Sequence, residues 1–194
     1  MTSDQIKEVS IKHFAKNGYE GASLAQIAED VGIKKQSIYT HFKGKDQLFL
    51  QLCRDTSENE LRFVSKFIEI NKTRPIKEFL YDFLLQSIER YEKNDSSKFW
   101  IRTAFFPPNH LNEMVMKNVY EYLDKVEELL IPIIKKAMSS GEISSIIDEK
   151  RATAAYLGIL DAIFVEMLYG GPERLMKRLE ASWYVYWHGL SKEL

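Results

Sequence analysis

The chain has 194 residues, long enough to bury a sizeable core in one large domain or in a small domain joined to a larger one. Its 27 Lys and Arg nearly balance 28 Asp and Glu, and it has one cysteine, Cys53. That argues against a broad polybasic coat for nucleic acid and excludes a disulfide framework and a cysteine-based zinc cluster. Charged residues interrupt the first 20 positions, and no later apolar run approaches the ~18 to 20 residues of a membrane span, so a soluble protein of the reducing cytoplasm is expected.

The segment from Ser23 to Leu48 reads as two short helices joined by a glycine turn. The Ser23 hydroxyl can cap the first, and Gln26, three residues on, can return the bond to the Ser23 amide. Leu24, Ile27, Ala28 and Val31 share one face of that helix. Gly32 can take the left-handed conformation that ends a helix sharply, allowing a second helix to start near Lys35 and bury Ile38 and Phe42. From Val31 to Asp46, four lysines (Lys34, Lys35, Lys43 and Lys45) face a single acid, so positive charge is concentrated here in a nearly neutral chain. Lys can donate to guanine O6 and N7, Gln can pair twice with adenine and Ser can serve either base, so Lys35, Gln36 and Ser37 suit the major groove. Ser23, Tyr39, Thr40, His41 and Lys45 suit phosphate oxygens.

Gly32, Ile33, Ser37, Ile38, Tyr39, His41, Phe42, Lys45 and Leu48, in that order and spacing, closely resemble the signature of the tetracycline-repressor (TetR) family of bacterial transcription regulators. Upstream, Ile6, Val9, Ser10, Phe14, Gly18 and Tyr19 stand where that family places the apolar face of its first helix and a glycine-aromatic turn. The resemblance implies an all-α protein. Residues 1–48 would form a three-helix DNA-binding domain with a helix-turn-helix, and residues 49–194 a helical bundle for ligand binding and dimerisation. Lys35, Gln36 and Ser37 would face bases, while Tyr39, His41 and Lys45 would hold the phosphate backbone. Lys34 departs from the Ser or Thr common in the family, which leaves the recognition helix without a strong side-chain cap.

Beyond residue 45 the spacing predicts helices throughout. A long helix from Lys45 to Asn71 would turn Leu48, Leu52, Val64 and Phe67 inward, and the next would run from Pro75 to about Lys93. Asn94 to Ser97 reads as a polar break, Phe99 to Phe106 as a short aromatic helix stopped by Pro107 and Pro108, and His110 to Met138 as a helix bent at Pro132. Gly141 marks a turn, and Asp148 can cap a helix reaching Leu168. On that helix Ala155, Gly158 and Ala162 leave a shallow groove, and the last helix, Pro172 to Leu190, carries Trp183, Tyr184, Tyr186 and Trp187. In the resembled family these two helices pair with their copies, so Ala155, Gly158, Ala162, Trp183 and Trp187 are expected at a homodimer interface.

Phe79, Phe83, Phe99, Trp100, Phe105, Phe106, Tyr120, Tyr122 and Phe164 are numerous enough to line an apolar pocket, and the resemblance implies a small-molecule inducer there. Phe99, Trp100, Arg102, Phe105, Tyr120 and Phe164 are the candidate lining. Arg102, in an apolar segment, either reaches water, pairs with Asp161 or Glu166, or awaits an anionic ligand. An enzyme would need convergent groups. His13, His41, His110 and His188 are scattered, Glu127 and Glu128 face different directions, and His110 with Glu113 offers too few metal ligands. No catalytic residue, metal or cofactor is expected. The function implied is a ligand-responsive, sequence-specific regulator that represses from a palindromic operator; the alternatives are a helical small-molecule-binding protein and a regulator that binds a partner protein instead of DNA.

Overall fold

The computed structural model describes residues 3–191, and those residues form helices, turns and bends without a strand. Nine α-helices follow in order: α1 Ser3–Gly21, α2 Leu24–Val31, α3 Lys35–Ile38, α4 Lys45–Asn71, α5 Ile76–Lys93, α6 Asp95–Phe105, α7 Asn112–Ser139, α8 Glu149–Tyr169 and α9 Pro172–Leu190. The chain divides into two compact units. One takes the chain up to Glu60 together with Glu92–Tyr122, and the other takes Leu61–Tyr91 and the chain from Leu123 onward.

The first unit is built on the packing of α1 against α2 and α6. Ile6 and Phe14 of α1, Leu24, Ile27 and Ala28 of α2, Ile38, Phe42 and the α4 residues Leu48, Phe49 and Leu52 are all buried. The rings of Phe14, Phe49 and Phe99 meet with centroids 5.1 to 6.1 Å apart, a spacing that favours edge-on and tilted aromatic contact. Near its end α1 kinks at Gly18, whose φ of 69° is one an L side chain rarely adopts. The space beside it is also filled, because a Cβ on Gly18 would stand 3.2 Å from the guanidinium of Arg102. Burial pushes the Cys53 thiol up to about 12, so it stays protonated at neutral pH.

Asn94 caps α6 through Ser96, whose amide donates to Asn94 Oδ1 at 2.8 Å. The expected polar break is therefore one residue wide, and Ser96 and Ser97 lie inside the helix. Ser97 is tolerated there because its hydroxyl donates to Glu60 of α4 at 2.8 Å, satisfying both groups in a buried setting.

In the second unit, Phe67, Phe79 and Phe83 form a ring cluster with Phe63. Tyr156, fully buried, donates its hydroxyl to the Leu80 carbonyl at 2.7 Å, and Tyr186 of α9 donates to the Ala152 carbonyl of α8 at 3.0 Å. Asp148 caps α8 by accepting from the Arg151 amide at 2.9 Å. α8 corrects one expectation, since by length and composition it is apolar enough to cross a bilayer. Small neutral residues dilute the run in sequence, and Asp161 and Glu166 are the charged positions within 152–169. Its inner face packs protein, with Ala152, Tyr156, Ile159, Leu160 and Ile163 buried.

Candidate nucleic-acid interface

The turn between α2 and α3 follows from backbone accounting. Ser23 Oγ accepts from the Ala25 amide at 3.2 Å, satisfying one open donor at the start of α2. The return bond from Gln26 is not made, and Gln26 is exposed. At the other end Gly32 sits at φ 78°, ψ 33°, its amide bonded to the Glu29 carbonyl at 2.9 Å while the Ile33 amide reaches the Ala28 carbonyl at 2.9 Å. Lys34 then starts α3 without a side-chain cap, as its chemistry predicts. α3 has only four residues. The chain continues in tight turns, the His41 and Phe42 amides both reaching the Ile38 carbonyl, at 3.0 and 2.9 Å.

Two side chains anchor this segment from below, Ile38 at 0% and Phe42 at 5% exposure. Everything else faces out: Lys34, Lys35, Gln36, Tyr39, Thr40 and His41 are exposed and Ser37 is half-buried. Lys35, Gln36 and Ser37 thus occupy consecutive positions of one short helix, two of them fully presented.

The expected phosphate ligands differ in readiness. Tyr39 is 50% exposed. Ser23 Oγ is used as an acceptor, which leaves its proton free to donate. Thr40 already donates to the Ser37 carbonyl at 2.7 Å, so a phosphate would have to win that proton. Lys45 lies over the Tyr19 ring, Nζ 4.3 Å from its centroid.

Three contacts here are not among the expectations from sequence. The Tyr19 hydroxyl donates to Asp46, and this bond holds the Asp46 carboxyl below the usual carboxylate range while burial pushes the phenol up. His110 also reaches Asp46, Nε2 to Oδ2 at 3.4 Å. Gln47 folds back so that its Oε1 accepts the Lys43 amide, a cap at the start of α4. Only Gln47 had a local signal, four residues after the amide it serves; the others depend on contacts between distant positions.

The candidate pocket residues are placed unevenly. Phe99 and Trp100 are buried, Trp100 meeting Tyr122 edge-on at 5.0 Å, whereas Phe105 and Tyr120 are exposed and Arg102 and Phe164 are intermediate. Phe99, Trp100, Arg102, Phe105 and Tyr120 belong to the first unit and Phe164 to the second. Glu166, one of the carboxylates considered for Arg102, is held instead by Arg174 at 2.8 Å and Arg178 at 3.3 Å.

On α8, Ala155, Gly158, Ala162 and Val165 are exposed in register, and an open groove of about 1040 Å³ runs beside them, lined by Ile159, Arg174, Arg178, Val185 and Tyr186 among others. Trp183 and Trp187 stack at 5.7 Å and lean on α5, Trp183 meeting Tyr81 and Trp187 lying under Lys77 Nζ. Tyr184 and Val185 are the exposed large residues of this stretch.

Residues 6–52 match the family of bacterial regulatory proteins, tetR family. The biofilm operon icaADBC HTH-type negative transcriptional regulator IcaR of Staphylococcus aureus (strain Newman) is 24% identical over 133 residues, covering 63% of this chain and 69% of that one. The HTH-type transcriptional regulator QacR of Staphylococcus aureus (strain Mu50 / ATCC 700699) is 29% identical over 122 residues, covering 62% of this chain and 64% of that one. In fold, the chain is similar to the transcriptional regulator FadR from Bacillus subtilis, solved in complex with stearoyl-CoA, with a TM-score of 0.71, 18% identity and coverage of 95% and 97%. Motif, family model, relatives and fold point the same way: residues 6–52 match the tetR family of bacterial regulatory proteins, and the chain as a whole is similar to HTH-type transcriptional regulators and shares the fold of TetR-family structures.

Proposed function

We propose that this regulator binds a palindromic operator as a homodimer, represses from it, and is released by a small-molecule inducer. The observation that carries this reading is the outward polar side of α3, Lys35, Gln36 and Ser37, held from below by Ile38 and Phe42. Residues 1–48 act as the DNA-binding domain, with Ser23, Tyr39, Thr40, His41 and Lys45 on phosphates, and residues 49–194 carry the effector and dimer functions. Repression is supported by the relative IcaR, a negative transcriptional regulator, and a small-molecule effector by the FadR neighbour bound to stearoyl-CoA. The protein works where its DNA lies, in the cytoplasm.

The second copy pairs through the exposed apolar stripe of α8, Ala155, Gly158 and Ala162, with Trp183 and Trp187 of α9. Two-fold pairing sets the two recognition helices roughly 34 to 36 Å apart, one turn of duplex. Within the first unit, Phe99, Trp100, Arg102, Phe105 and Tyr120 are the residues proposed to meet the effector. An effector that prefers the DNA-incompetent geometry by ~1 to 3 kcal/mol lowers operator affinity about 5- to 150-fold.

The test is binding of the purified protein to fragments of its own genomic neighbourhood at two salt concentrations, beside a Tyr39→Ala, Lys45→Ala double variant. Tight binding to one fragment, weakened by salt and lost in the variant, is expected. Equal behaviour of wild type and variant on every fragment overturns the reading and favours a partner-protein regulator or a small-molecule-binding protein.

A further inference from the structure

Three side chains from three parts of the first unit, Tyr19, Asp46 and His110, converge beside the expected phosphate ligand Lys45. Tyr19 from the end of α1 donates its hydroxyl to Asp46 Oδ1, and His110, in the turn before α7, places Nε2 3.4 Å from Asp46 Oδ2. The imidazole meets the Tyr19 ring at 64° with centroids 5.1 Å apart, while Lys45 Nζ lies 4.3 Å from the centroid of the same ring. The other charged groups around this cluster are Glu20, which acts on Tyr19, Lys16 and Lys43 nearby in sequence, Arg102 of α6, whose guanidinium lies against Gly18, and Glu113 on the helix that follows His110.

Asp46 is therefore an acid set beside a cation that has to meet a phosphate. With His110 neutral, the Asp46 charge opposes that phosphate; with His110 protonated by solvent, the Asp46 charge is neutralised. Histidine is the side chain that changes charge in the physiological range. Resting on the reading that this face grips DNA, we propose that His110 is a positioning residue that makes the grip proton-sensitive, its imidazolium clamping and neutralising Asp46 so that Lys45 meets the phosphate unopposed. The ion pair alone is half-exposed, 49% and 55%, and a pair of that kind contributes little to stability. Its effect is on the local field. Cancelling one charge several ångströms from a phosphate changes affinity about threefold in a water-like dielectric, or about tenfold for two copies acting together.

The experiment uses the full-length protein and a mixed-sequence duplex of about three helical turns at low salt, so that no operator need be known. Affinity is read at about pH 6 and pH 8 at constant ionic strength for wild type, His110→Gln and His110→Arg. His41, His188 and His13, which pairs with Asp30, are present in all three proteins, so the comparison isolates position 110. Wild type is expected to weaken on going to pH 8 by up to about tenfold more than His110→Gln, and His110→Arg to lack that extra dependence while binding at pH 8 about tenfold more tightly than His110→Gln. Identical pH profiles in wild type and His110→Gln overturn the proposal while leaving DNA binding intact. Absence of salt-sensitive duplex binding by wild type at both pH values overturns it together with the DNA reading.

Discussion

Ile38 and Phe42 are the buried side chains between Lys35 and Phe42, whereas α8 buries Ala152, Thr153, Tyr156, Ile159, Leu160, Ile163 and Glu166. The recognition segment thus hangs from two anchors and offers polar donors to the outside. The α8–α9 pair does the opposite, exposing Ala155, Gly158, Ala162, Val165, Tyr184 and Val185 over a full core. In the first region the proposed function rides on side chains that do not hold the core, so the two should be separable by substitution. In the second, the exposed stripe is largely apolar, with Asp161 set beside it, and under the proposed pairing it becomes useful only when covered.

Sharp tests of that contrast begin with the anchors. Ile38→Ala should cost about 3 kcal/mol in urea unfolding and abolish duplex binding, because a fully buried branched side chain leaves a cavity in a segment with little else to hold it. Tyr39→Ala with Lys45→Ala should leave the unfolding free energy within ~1 kcal/mol of wild type, the loss of the Lys45–Tyr19 contact included, yet weaken duplex binding about 100-fold; a larger loss of stability would erase the claimed separation. On the apolar side, Gly158→Glu meets nothing within 4 Å in the single chain, so the helix should fold while sedimentation shows self-association weakened at least ~10-fold by a charge in the covered face. Gly170→Ala differs, since its Cβ would collide with Glu166 Oε2 and push that carboxylate off Arg174 and Arg178; thermal unfolding should report a loss of about 1 to 2 kcal/mol. Ser23→Ala, which removes the cap of α2, should cost about 1 kcal/mol or less.

Much of this architecture is legible in the chain. α4 runs from Lys45 to Asn71 as its spacing predicts, and Asp148 and Asn94 cap the helices that follow them. Those features are local, decided by side-chain chemistry within a few residues. Apart from the unmade Gln26 return bond and the apolar run of α8, what failed is long-range. Ser97 stays helical because of Glu60, 37 positions earlier, and no window around Ser97 contains that partner. Glu166 finds its arginines across the turn into α9, which no one-helix spacing rule anticipates. His110 reads locally as an exposed neighbour of Glu113, and its meeting with Asp46 exists only once α1, α4 and the turn before α7 are folded together. The outward triplet of α3 could be named from sequence because Ile38 and Phe42 fix which side is inward; the order of contacts with bases depends on a duplex.

The central claim is that α3 reads DNA as one of a two-fold pair, and a hydroxyl-radical footprint on the fragment the protein selects tests it most directly. Two symmetry-related half-sites, protected on one face of the duplex with centres about 10 base pairs apart or a multiple of that, are expected, with protection lost in the Tyr39→Ala, Lys45→Ala variant. A single asymmetric footprint, or uniform protection of every fragment that the variant retains, would contradict it.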